Sequence, residues 1–130
     1  MLLTYSHPRF PAMIDAGIKI HTIREDKGNR WLSGRAIHHW MHNPRNVQKN
    51  PYPFCMDKNH VCKGVQSIDI EPLLEMVRIN YPDGNSRFLE DQEIDLSALN
   101  DGLINRRIFF KWFGKSSFSG KIIHWTDLRY

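Results

Sequence analysis

The chain has 130 residues, a length that fits one domain, with 41% hydrophobic and 25% charged residues, an ordinary composition for a folded protein. No apolar run is long enough to span a bilayer, and the opening MLLTYSHPRF lacks the basic start and apolar stretch of a secretory signal, so a membrane role is not expected and the cytoplasm is the expected location. The formal net charge is +4, and it is unevenly spread: residues 1–63 hold ten Lys/Arg against four Asp/Glu, and residues 64–130 hold eight against ten. A basic half suits an anionic partner such as one bearing phosphate.

In chain order, HPRFPAMIDAGIK reads as a short helix with Phe10 and Ile14 on its inner stripe, Pro8 and Pro11 in its first turn and Gly17 at its end. IKIHTIR alternates as a half-buried strand, which puts Thr22 and Arg24 on one face and Lys19 and His21 on the other. EDKGNRWLSG is a polar loop closing on Gly34, and RAIHHWMH a second strand. Residues 43–60, with Pro44, Pro51 and Pro53 and no clear period, read as a long loop, a length that usually signals function or mobility. HVCKGVQSIDIEP is a strand with a bend near Gly64, and LLEMVRINY and SRFLED form a hairpin about the PDGN turn. DLSALNDGLINRRIFFKWFG carries two helical segments. Asp95 or Ser97 caps the first and Asn105 the second, where Ile108, Phe109, Trp112 and Phe113 share a face that reads as a core plug. FSGKIIHW is the last strand. Five or six strands, with helices early and late rather than after each strand, argue for an α+β fold: a small, mostly antiparallel β-barrel with short helices at its ends.

Cys55, His60 and Cys62 give Cys-x4-His-x-Cys, which lacks the tight cysteine pair and fourth ligand of a zinc site and reads as two ordinary thiols. Nothing points to a metal or organic cofactor. Basic residues Lys19, Arg24, Lys27, Arg30 and Arg35 gather around one strand and loop, while Arg45, Lys49, Lys58 and Lys63 flank the long loop, interleaved with Tyr52 and Phe54. Basic side chains serve phosphates and aromatics stack on unpaired bases. His21, Arg24, Arg30, Trp31, Tyr52 and His124 are therefore candidate ligand contacts. Residues 69–101 hold nine acidic residues against Arg78 and Arg87 and should face away from any nucleic acid.

FPAMIDAGIKIHTIRED…RWLSGRAI resembles the ASCH family of the PUA-like superfamily, through Gly17, Lys19, Thr22, Ile23, Arg24 and Gly34, with LNDGLINRRIFFKWF as the later acidic-Gly-hydrophobic step and GKIIHWTDLRY as the closing strand. The resemblance covers about half of the chain. It implies a single PUA-like barrel domain over 1–130 with a loop insertion at about 43–60, and RNA or a nucleotide as ligand. It also implies an alternative: an amidohydrolase deacylating a modified nucleoside such as 4-acetylcytidine, with Lys19 as base, Thr22 as nucleophile and Asp101 as acid. Asp101 stands where that group has Glu, and the insertion is a second departure. A third possibility is a protein-interaction module that uses the 43–60 loop. The oligomeric state is left open.

Overall fold

The period-two pattern of GVQSIDIE and MVRIN builds the larger sheet. In a computed structural model that describes residues 1–130, the chain forms β1 (Leu2–Tyr5), α1 (Phe10–Asp15), β2 (His21–Arg24), β3 (His38–Met41), β4 (Tyr52–Phe54), β5 (Gly64–Glu71), β6 (Met76–Asn80), β7 (Ser86–Phe88), α2 (Asp91–Asn100), α3 (Arg106–Phe113) and β8 (Phe118–His124). β5 and β6 pair with Ile68 opposite Ile79 and Ile70 opposite Val77, and all four side chains are buried. β8 lies between β5 and β2, and β7 extends β6, giving the antiparallel order β2-β8-β5-β6-β7.

The smaller sheet, β1-β3-β4, holds the parallel pair β1–β3 and the antiparallel pair β3–β4. Two of its strands differ from the sequence expectation. LLTY forms an unanticipated strand, with Leu3 and Tyr5 turned inward. The 43–60 segment is not a structureless loop: it carries two 3-10 turns, Val47–Lys49 and Met56–Lys58, and the strand β4 between them. The chain is α+β with mostly antiparallel strands, and these strands form two sheets rather than one closed ring.

α1 forms where expected, with Phe10 and Ile14 one turn apart and both buried. Asn105 caps α3 as expected, its Oδ1 accepting from Ile108 N at 2.9 Å. α2 starts earlier than anticipated. Glu90 is its N-cap, in a reciprocal capping box with Glu93, so neither Asp95 nor Ser97 caps it, and Ser97 is buried within the helix. The core runs between the sheets and under the helices. Ile23, Ile68, Ile79 and Ile122 share one face of the larger sheet, Ile123 is buried on the other, and Leu3, Phe10, Ile94 and Phe109 belong to the same core. Each such side chain contributes about 1.5–3 kcal/mol on burial.

Candidate functional site

Gly17, at φ +73°, turns the chain sharply after α1. The amides of Ile18 and Lys19 both donate to the Met13 carbonyl, at 2.8 and 3.1 Å, and Ile20 N donates to Asn100 O at 2.9 Å. Lys19 therefore sits in a turn ahead of β2, outside the strand's alternation. That turn removes the parity conflict that a continuous IKIHTIR strand would impose. At the other side, α2 ends on Asp101, and Gly102 follows at φ +84°. A Cβ on Gly102 would lie 3.0 Å from the Phe10 ring and 3.1 Å from Lys19 Cδ, so the bare backbone there leaves room for the lysine stem.

The Lys19 ammonium is 1% exposed. It donates to Asp101 Oδ1 at 2.9 Å and to the Asp101 carbonyl at 2.7 Å, and lies 4.5 Å from the centre of the Phe10 ring. Burial lowers the Lys19 pKa from its usual value, against the pull of Asp101, which favours the ammonium. Burial by itself would raise Asp101, but the charge of Lys19 and the contact with His21 outweigh it and hold the carboxyl below its usual range. The carboxylate is thus ionised at neutral pH, next to an amine eased toward its neutral form.

Thr22 and Arg24 reach the same cavity from β2. Arg24 Nε donates to Thr22 Oγ1 at 3.4 Å, Nη2 donates to the Thr4 carbonyl, and the guanidinium lies 5.1 Å from the centre of the Tyr5 ring. Lys19, Thr22, Arg24 and Asp101 together line a cavity of about 250 Å³. Lys19 hydrogen-bonds only to Asp101, and the Thr22 hydroxyl is held by Arg24 rather than by the lysine. A Thr22 nucleophile would need Lys19 to swing away from Asp101 when a substrate arrives.

His21 stands behind this floor. Its Nε2 is 2.7 Å from the Tyr130 hydroxyl, which accepts from Asn100 Nδ2 at 2.8 Å. The hydroxyl is then free to donate to Nε2, which leaves the imidazole proton on Nδ1, 3.6 Å from Asp101 Oδ1. Burial lowers the His21 pKa, so the ring is neutral at pH 7. His124 lies deeper, edge-on to His21, with Nε2 3.0 Å from Gln66 Oε1. It is fully buried and does not line the Lys19 cavity.

The remaining candidates stand apart from the cleft. The Asp26 carboxylate accepts from the backbone amides of Arg30 (2.9 Å) and Trp31 (3.1 Å), leaving Arg30 on the surface and Trp31 half-buried against the core. Tyr52 is 49% exposed on β4. Several wall residues escaped the sequence reading: Thr4, Tyr5, Ser6, Phe10 and Trp112. Trp112 corrects the core-plug expectation for α3. Phe109 and Phe110 are the buried pair, while Trp112 is 48% exposed and sits 5.9 Å, centre to centre, from Phe10.

Tyr5 joins this cavity to a second one. Its hydroxyl, with no other acceptor, donates to His39 Nδ1 at 2.9 Å, and His39 Nε2 then donates to His60 Nδ1 at 2.9 Å. The two histidines border an apolar pocket of about 480 Å³ with Trp40, Phe54 and Met56. Cys55 and Cys62 are unbridged, and no three His, Cys, Asp or Glu side chains gather as metal ligands. No helix is long and apolar enough to cross a membrane. No protein-family model matches the chain, and neither a curated protein nor a solved structure matches it.

Proposed function

We propose that the chain is an ASCH-type domain of the PUA-like superfamily, its two sheets standing as the halves of the barrel, and that its cleft binds RNA or a nucleotide. One observation carries this reading. A buried ammonium–carboxylate pair, Lys19–Asp101, forms the floor of a cavity that also holds Arg24 and is edged by the Phe10 and Trp112 rings. The paired charges offer donors and an acceptor to a polar base edge, Arg24 offers a cation to phosphate, and the rings offer a face for stacking. Binding of single-stranded RNA should fall steeply with salt, with a log–log slope of about −0.7 for each phosphate engaged. A flat salt response would count against nucleic-acid binding.

A second reading is favoured by a specific feature: Lys19, Thr22 and Asp101 line the same cavity. An amine with a depressed pKa beside a hydroxyl is what an amidohydrolase acting on an acylated cytidine requires. In that reading Lys19 takes the Thr22 proton, Thr22 attacks the acyl carbonyl, the C–N bond breaks as the Lys19–Asp101 pair, with Asp101 on the acid side, passes that proton to the departing cytidine amine, and water cleaves the Thr22 ester to free acetate. Acetate release from 4-acetylcytidine, abolished in Thr22→Ala, is the expected result. Absence of turnover by the wild-type protein would remove this reading and leave binding alone.

A further inference from the structure

The Lys19 cavity has a neighbour across Thr4, Tyr5 and Ser6. These three residues line the cavity and also form one wall of a shallower lobe of about 220 Å³ whose far side is His42, Asn43, Asn46 and Lys49. We propose that this lobe is a phosphate subsite and that the ligand is a phosphorylated nucleoside, with its base in the Lys19 cavity and its phosphate against Lys49. This rests on the reading of the cleft as a nucleoside site.

The chemistry of the lobe fits an anion. No carboxylate lines it, and Lys49 brings a positive charge. Asn43 Oδ1 already accepts from Arg45 N at 2.9 Å, so the group Asn43 has left is its amide donor. Lys49 N donates to Asn46 O at 3.1 Å, which closes a 3-10 turn and sets the lysine beside the two asparagines. Arg24 grips the shared wall from the Lys19 side. Nη2 is on the Thr4 carbonyl and Nε on Thr22, while Nη1 has no protein acceptor. Lys19 offsets the Asp101 charge inside the cleft, so Arg24 and Lys49 remain uncompensated, one on each side of β1. Two cations flanking a donor-lined hollow suit a phosphate monoester or diester better than a neutral sugar. The lobe comes from the first part of the 43–60 insertion, which gives that segment a role in the ligand site.

The test measures binding by calorimetry at low salt for cytidine, for CMP phosphorylated on the 5′ or the 3′ oxygen, and for a tricytidylate RNA, with wild type, Lys49→Ala and a remote control, Lys115→Ala. At least one CMP isomer should bind about tenfold more tightly than cytidine. Lys49→Ala should bring that isomer to within about twofold of cytidine and leave cytidine and the thermal melt unchanged. Lys115→Ala should alter nothing. Dependence on Lys49 shared by the tricytidylate places the phosphate in a strand, and dependence confined to CMP assigns a free nucleotide. Equal affinity for cytidine and CMP, or a preference for CMP that survives Lys49→Ala, overturns the phosphate subsite and leaves the cleft reading standing. Failure of every probe to bind overturns both.

Discussion

Among the ion pairs of this molecule, those of Asp69 and Asp101 do different work. On the β5-β6-β8 face, Asp69 accepts from Arg78 Nη2 at 2.7 Å, Asn80 Nδ2 at 2.7 Å and Ser119 Oγ at 2.6 Å. Burial would raise its pKa, but the bonds from Ser119, Arg78 and Asn80 outweigh that and bring it below the usual range. Asp101 is shifted the same way by Lys19 and His21. The difference lies in what surrounds them. Asp69 is braced by three strands at a half-open surface, held by Arg78, Asn80 and Ser119, and it borders neither the Lys19 cavity nor the apolar pocket beside His60. Asp101 is buried with its lysine at the floor of a hollow that also holds a hydroxyl and a guanidinium. A perturbed pKa marks an ion-pair network in both places, and only the second has room for a ligand.

That contrast sets the expected sizes of four effects. The largest is Asp101→Asn. It leaves the Lys19 ammonium buried without its counter-charge, so stability in urea should fall by about 3–5 kcal/mol. Replacing both partners, Lys19→Met with Asp101→Leu, should restore most of that loss while ligand binding stays absent, which separates the fold's need for the pair from the site's need.

Next is acid. Burial holds His39 and His124 at about 3, well under their usual 6.5. The folded state therefore refuses protons that the unfolded chain takes up below pH 6.5. Stability is fully present above that pH and declines as the pH falls toward about 3. Each ring should cost on the order of 1–2 kcal/mol by pH 5, and His39→Gln should flatten its share of the slope in melts followed by circular dichroism. Smaller is Trp112→Ala, which should weaken nucleotide binding by about 1 kcal/mol, near fivefold, with little change in melting because the ring is half-exposed. Smallest is Asp69→Asn: a loss of no more than about 1 kcal/mol in stability, and no change in ligand affinity.

The sequence made some of this visible and hid the rest for physical reasons. β5 and β6 show clean alternation because one face of each meets the core. Asn105 and Gly114 bracket α3 with ordinary cap chemistry. β1 has four residues and β4 three, too short to display a period, and β1 pairs in parallel with β3, more than thirty residues further along. The start of α2 was obscured because Glu90 caps it where Ser, Thr, Asp or Asn is the usual signal. In the site, the family-like spacing named Lys19, Thr22, Arg24 and Asp101, all of which line one cavity. The aromatic and hydroxyl walls from β1, α1 and α3 were not legible. They converge through tertiary packing of segments about a hundred residues apart, and no local pattern in TYS or KWF announces it.

The most direct measurement is a two-dimensional NMR titration of the isotope-labelled chain with CMP. The expected result is a set of saturable shifts at Lys19, Thr22, Arg24 and Trp112, extending to Lys49, with the Asp69–Arg78–Ser119 face still. Shifts confined to that face or to the apolar pocket around His60, or none at millimolar nucleotide, would contradict the assignment of the Lys19 cavity as the ligand site.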